Sequence, residues 1–454
     1  MNDTPSSAAA SDRKHAHRVR FDPKRLITLK PGELPAFFWS FTYFFALLCS
    51  YYIIRPMRDE MGIAGGVEHL QWMFSGTFLV MLAAVPLFGW VTRRFPVRRF
   101  LLYVYLFFIA NLLLFFILFK SNVTGTYVAR AFFIWASVFN LFIVSIFWSL
   151  MADIFDNDQA KRLFGMIAGG GTAGALTGPI LTATLVLKFG PTNLLLISAA
   201  FLGWAVLCLQ RLMAWRDAAG RPAPGEPQPQ ADAAMGGGIL AGVQLILRSP
   251  YLIGICLMML LFTTLATFLY FQQAHIIHAG FDNPAERTAL FAAMDFAVNA
   301  LTIILQIFLT SRIVKRLGLA WTLAVVPLMV ALGFLVLSLA PVLAVLITLQ
   351  VLRRAGNYAL MRPAREMLYV VLGKEEKYKA KNFIDTVVYR GGDAISAWIF
   401  AGLQHVGLTA AGIALAAVPF AGMWALIAYR LGTRQEQMAK PGKQSNPVSD
   451  SDRR

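Results

Sequence analysis

The chain has 454 residues, 57% of them hydrophobic and only 14% charged, with a formal net charge of +17. A soluble domain carries about 25% charged and about 45–50% apolar residues, so this composition argues against a soluble enzyme and for a polytopic membrane protein. The basic excess would suggest nucleic acid in a soluble chain, but here its meaning depends on where the charges lie.

Residues 1–34 form a basic tail with no early apolar core that reads as a signal peptide. A helix crossing the hydrocarbon layer needs about 20 mostly apolar residues. Such runs lie near 35–54, 69–91, 100–119, 127–150, 164–187 and 191–213, and again near 251–272, 288–311, 319–338, 341–360, 384–404 and 408–430. Between the two sets, residues 215–250 include "WRDAAGRPAPGEPQPQADAAMGGG", rich in Pro, Gly and Gln without apolar periodicity, which reads as a flexible linker. The predicted fold is an all-α membrane protein of twelve transmembrane helices. One six-helix half occupies 35–214 and the other 251–431, with a tail at 432–454.

The basic residues test this topology. With the N-terminus inside, they gather in the inside segments, for example Arg93, Arg94, Arg98 and Arg99, then Lys161 and Arg162, then Arg312, Lys315 and Arg316. The outside loops hold few, and the last two hold none. This positive-inside alternation accounts for the charge without nucleic acid and predicts cytoplasmic termini in a bacterial inner membrane. The halves are also alike: "GWVTRRFPVRR" at Gly89 parallels "SRIVKRLGLAW" at Ser311, and "QAKRLFGMIAGGGTAGA" at Gln159 parallels "KAKNFIDTVVYRGGDAI" at Lys379. Two parallel six-span repeats resemble the major facilitator organisation.

Charges inside the spans are the candidate functional groups, because each costs about 2.5–3.5 kcal/mol at mid-membrane unless it is paired or meets water. After the first span, "YYIIRPMRDEMG" sets Arg55, Arg58, Asp59 and Glu60 around Pro56. The residue before a proline avoids the helical region, so the helix is expected to end near Arg55, with the cluster at the outer mouth and Glu60 as a polar cap. In the eighth span Asp295, Asn299, Thr302 and Gln306 share one face. That face serves either interhelical hydrogen bonding or a substrate cavity. In the tenth span Arg353 and Arg354 need an anion or a carboxylate, and Asp295 and Asp385 are the candidate partners. Asn382, Asp385, Tyr389, Asp393 and Ser396 line one face at the start of the eleventh span, just after Lys377, Lys379 and Lys381.

In the fifth span Gly170, Gly174 and Gly178 repeat every fourth residue before Pro179, a small-residue groove for close helix packing or a hinge. Cys49, Cys208 and Cys256 lie in apolar runs and form no disulfide or metal pattern. His275 and His278 lack a third ligand nearby, and no Gly-rich phosphate loop points to ATP-driven transport.

Three segments are similar to the ATP/ADP translocase (nucleotide transporter) family of plastids and intracellular bacteria: "YYIIRPMRDEMG", "FWSLMADIFDNDQAKRLFGMIAGGGTAGA" and "ALMRPAREMLYVVLGKEEKYKAKNFIDTVVYR". The resemblance implies a secondary transporter with a facilitator-like fold that exchanges anionic nucleotides. It sets Arg58 in the place of the family's basic residue after span 1, with Arg55 and Asp59 beside it. Asp153 matches the family's acid at the end of span 4, and Lys379 or Lys381 its basic residue before span 11. The seventh span lacks the acid that the family usually carries there. The expected partner is a nucleotide or another phosphorylated metabolite, handled by a monomer in the bilayer without metal or cofactor. A proton-coupled facilitator and a non-transporting scaffold are the alternatives.

Overall fold

The computed structural model describes residues 29–30, 32–94, 97–121, 125–218, 245–373, 380–381 and 383–439, with the side chains of 85–99 left aside. Its helices are α1 (Leu34–Ala64), α2 (Leu70–Arg94), α3 (Val97–Lys120), α4 (Thr126–Ile154), α5 (Asn157–Phe189), α6 (Pro191–Ala218), α7 (Pro250–Gly280), α8 (Pro284–Leu305), α9 (Ser311–Leu339), α10 (Leu343–Gly356), α11 (Arg362–Leu368), α12 (Tyr389–His405) and α13 (Ala410–Ala439). Wide π turns at Gln306–Thr310 and Asn357–Met361 join α8 to α9 and α10 to α11, and a third at Ile384–Val388 leads into α12.

These segments make twelve crossings, as the apolar runs predict. Gly318, at φ 75° and ψ 176°, breaks α9 so that its first turns finish the eighth crossing and the rest forms the ninth. Among the described residues eight helical stretches are long and apolar enough to span a membrane, the stretch Pro284–Leu339 holding two crossings. The crossings through α2, α10–α11 and α12 fall outside that set. An even number of crossings leaves Leu34 and Ala439 on one face, called here the terminal face.

Three sequence expectations need correction. Helix α1 does not end near Arg55 but continues through buried Pro56 to Ala64. Neighbouring helices in a membrane bundle support a proline that would stop a solvated helix. Helix α6 runs past Trp215 to Ala218, and the Trp215 indole N–H donates to the Gly32 carbonyl at 3.3 Å. The tenth crossing continues to Leu368 rather than stopping near residue 360.

The apolar interior divides between the halves, with one difference. The C-terminal core also takes in Ile63, Leu70, Met73 and Phe133 from the N-terminal half, all near helix ends opposite the terminal face. The α1–α5 contact is the closest in the N-terminal half. A Cβ at Gly170 would lie 2.3 Å from the Phe41 carbonyl oxygen, one at Gly174 2.3 Å from that of Phe45, and one at Gly178 2.7 Å from Tyr52 Cβ. Pro179 is buried just beyond. Backbone therefore rests on backbone along three turns, which fixes the height of α1 and its arginines.

At the terminal-face end of this seam Glu33 accepts hydrogen bonds from Arg162 (2.8 and 3.1 Å), Gln159 (3.0 Å) and the Lys30 amide (2.9 Å). Chiefly through Arg162, these donors hold the Glu33 carboxyl down from 4.5 to about 2. A lowered carboxylate stabilises fully above its ordinary value and loses that contribution as the pH falls toward its folded one. Glu33→Gln is therefore expected to flatten the change in melting temperature between about pH 4.5 and about pH 2. Gly174→Ala is expected to destabilise the purified protein by about 1–3 kcal/mol in thermal melts, because backbone cannot yield to the new methyl group. Gly165→Ala, with nothing within 4 Å of the added Cβ, is expected to stabilise it by about 0.5–1 kcal/mol.

Candidate functional site

The helices of the two halves enclose a cavity of about 920 Å³, lined by Tyr51, Tyr52, Arg55 and Arg58 of α1, Asn140 and Ser145 of α4, Asn299 of α8, and Tyr358, Arg362, Glu366, Tyr389 and Arg390 beyond. A lobe of about 460 Å³ adds Arg365, Lys381 and Asp385 toward the terminal face. Apart from α1, the lining residues sit midway along their helices or closer to the terminal face, so the cavity opens there. Two of the three π turns supply lining residues to the main cavity, Gln306 and Tyr358, and the third supplies Asp385 and Thr386 to the side lobe. A π turn adds one residue and re-aims the side chains around it, which is why such turns recur at functional sites.

Charges gather at the cavity floor. Asp295, only 1% exposed, meets two arginines: Arg354 Nη2 donates to one carboxylate oxygen at 2.5 Å, and Arg55 Nε lies 3.6 Å from the other. Arg55 belongs to the N-terminal half and Arg354 to the C-terminal half, so this carboxylate ties the halves together. Arg58 donates to Ser137 Oγ (3.0 Å) and Asp59 (3.2 Å), with its guanidinium 4.3 Å from the Phe133 ring centroid. Arg353 donates to the Gln350 side-chain oxygen at 2.8 Å, and Gln350 donates in turn to Gln273 at 2.6 Å. The main cavity is thus lined by Arg55, Arg58, Arg362 and Arg390 against one acid, Glu366.

The opposite face is shut. Arg287 of α8 grips Glu60 of α1 through two bonds of 2.7 and 2.8 Å, with Glu60 fully buried. Tyr270 donates to Asp59 at 3.1 Å, and the Trp398 indole N–H to Ser75 at 2.9 Å. Phe74 packs on Tyr270 and Phe271, and Trp72 on Trp398, at centroid separations of 4.8–5.6 Å. Every one of these contacts crosses between the halves.

The sequence pattern of the Major Facilitator Superfamily matches residues 36–365. The chain belongs to the major facilitator superfamily. It is a multi-pass membrane transporter and not an enzyme. ADP,ATP carrier protein 1 of Chlamydia muridarum (strain MoPn / Nigg) is 26% identical over 183 residues, and that of Chlamydia trachomatis 25% over 183. In each case the match takes in 36% of this chain and 34% of the carrier, about a third of the carriers' length. The fold is similar to that of the POT family transporter PepTSo (TM-score 0.62, 14% identity, 88% of this chain and 98% of that one). It is also similar to a bacterial homologue of the human lysosomal transporter Spinster, inward-facing and unoccupied (TM-score 0.56, 13% identity, 90% and 99%). At those identities the likeness is one of fold alone.

Within this facilitator, Arg55, Arg58, Asp295, Arg353 and Arg354 come together at the floor. Arg55 and Arg58 lie inside the bundle beneath the closed face, and Glu60, in the last turns of α1, is an ion-pair partner in that closure rather than a cap. Asn299 lines the cavity, but its amide donates to the Ala175 carbonyl at 2.8 Å and accepts from Tyr52 at 3.4 Å, tying α8 to α5 and α1. Asp385 does not reach Arg353 or Arg354. It lies 3.6 Å from Arg365, at the cavity edge where Lys381 meets Glu366 at 2.5 Å. Asp153 is exposed at the terminal-face end of α4, below the cavity, and does not join it. Lys379 and Asn382 lie outside the described residues. His275 and His278 belong to no metal-binding group among the described residues.

Tyr358, Arg362, Arg365 and Glu366 are among the cavity residues that sequence reasoning passed over. The spacing of Arg362, Arg365 and Glu366 on one further helical turn is the signal that marks them. Removing one member of a buried ion pair costs about 3–5 kcal/mol, while replacing both by apolar groups costs far less. Arg287→Met alone is therefore expected to destabilise strongly in thermal melts, and Glu60→Met with Arg287→Met to recover most of that loss.

Proposed function

We propose that this transporter exchanges nucleotides or other phosphorylated, anionic metabolites across the membrane by alternating access of its two six-helix halves. The observation that carries this reading is the excess of arginine over acid in a cavity of about 920 Å³ between the halves. Its size falls in the range of about 300–1,000 Å³ that suits organic ligands. Tyr51, Tyr52, Tyr358 and Tyr389 give it the aromatic faces on which a base can stack. The likeness to ADP,ATP carriers supports the same substrate class.

Asp295 accepts a hydrogen bond from Arg354 and lies 3.6 Å from Arg55. An entering polyanion competes for those guanidiniums, loosens the tie between the halves and makes its own contacts to both. With cytoplasmic termini in a bacterial inner membrane, the present cavity faces the cytoplasm. A single chain supplies both halves, so a monomer suffices. A second reading, proton-coupled movement of a small metabolite, is favoured by Asp393, a carboxylate facing the deep cavity 3.8 Å from its nearest arginine, Arg390.

Radiolabelled ATP should enter proteoliposomes only when ATP, ADP or a similar anion is loaded inside. Arg58→Gln should cut that exchange by about tenfold or more, the value of a charge-assisted hydrogen bond. Uptake driven by a pH gradient with no internal counter-substrate would favour the second reading. Activity on a neutral solute, with every nucleotide inert, would rule out the first.

A further inference from the structure

Beneath the main cavity lies a chamber of about 190 Å³ that shares Arg55, Arg58, Tyr358 and Tyr389 with it and adds Gln350, Arg353 and Arg354 together with two carboxylates, Asp59 and Asp393. Its volume is below the roughly 300–1,000 Å³ of sites that take whole organic ligands. It has room for a compact group but not for a nucleoside. Four guanidiniums converge on it from two helices, Arg55 and Arg58 of α1 and Arg353 and Arg354 of α10.

Their states differ. Arg58 is paired with Asp59 and Arg354 with Asp295. Arg353 has no carboxylate within 4.0 Å among the described residues. Its side chain is 8% exposed, its Nε has no acceptor, and its one hydrogen bond goes to the neutral amide of Gln350. Gln350 is itself fixed by Gln273, so the guanidinium is held in place rather than free to leave. A buried cation facing a neutral amide is an expensive arrangement that an anionic ligand would relieve. A phosphoryl group brings about −1.5 to −2 charge and three acceptor oxygens, which suits several guanidiniums better than a single carboxylate does.

We propose that this chamber is a subsite for a terminal phosphoryl group, with Arg353 as its anchoring cation. A phosphorylated substrate then enters phosphate first and leaves its larger part among the tyrosines above. This rests on the substrate class given under Proposed function.

Calorimetric titration of the purified full chain in detergent tests it with four probes: inorganic phosphate, pyrophosphate, adenosine and ATP. Pyrophosphate and phosphate should bind the wild type and displace ATP. Arg353→Gln should lower the preference for pyrophosphate over adenosine by about tenfold or more. Arg353→Lys, which keeps the charge without the planar fork, should fall between the two and serves if the glutamine variant does not fold. A pyrophosphate preference unchanged within about twofold in both variants, while ATP still binds and exchanges, would overturn the subsite and leave the transport reading standing. Phosphate binding that fails to displace ATP would mark a separate free-phosphate site and also overturn it. If no phosphorylated probe binds and none is exchanged, the substrate class falls, and the subsite with it.

Discussion

A guanidinium inside a bilayer has to find an anion, and Asp295 is the anion on which this structure turns. It is carried on α8 and serves Arg55 from one half and Arg354 from the other. One carboxylate between two arginines leaves positive charge unmatched at mid-membrane. Arg353 and Arg362 nearby deepen the imbalance. A cavity floor of this kind is held together by a compromise that a bound anion can replace. A ligand shifts a conformational equilibrium only by the difference in its affinity for the two states. Here the difference arises because Asp295 and the anion compete for the same donors.

The packing around the floor makes that competition mechanical. Backbone contact at Gly170, Gly174 and Gly178 locks α1 to α5, so Arg55 and Arg58 cannot shift without their half. The Asn299 amide holds α8 against α5, across the boundary between the halves. The closed face adds the Glu60–Arg287 pair and the aromatic layer of Phe74, Tyr270 and Phe271. The open face has no comparable layer among the contacts described. The two ends therefore differ in what must break for the halves to rock: buried ionic and aromatic contacts on one side, cavity-edge pairs such as Lys381–Glu366 on the other.

Much of this was legible in the sequence. Lipid demands long apolar runs, so the twelve crossings could be read directly. Small residues at every fourth position marked a close-packing face on the fifth span without naming its partner. The cost of buried charge offered Asp295 and Asp385 as partners for Arg353 and Arg354, of which only Asp295 meets Arg354. What escaped has physical causes. The proline rule describes a helix end in water, whereas Pro56 sits inside a packed bundle. The π turns leave no simple periodicity, so the tenth crossing seemed to stop before Arg362 and Arg365. Arg287 stands just before the eighth apolar run, and its partner, Glu60, is distant in sequence, so only the assembled bundle brings the two together.

The central claim is that the halves rock about this charged floor when an anion binds. Spin-label distances in the reconstituted protein test it most directly, with one pair at Lys161→Cys and Met367→Cys on the open face and another at Glu68→Cys and Asp282→Cys on the closed face. All four positions are exposed, and each pair spans the two halves. Saturating ATP should shorten the first distance and lengthen the second in a population of molecules. Distances that stay fixed on both faces at saturation would contradict it.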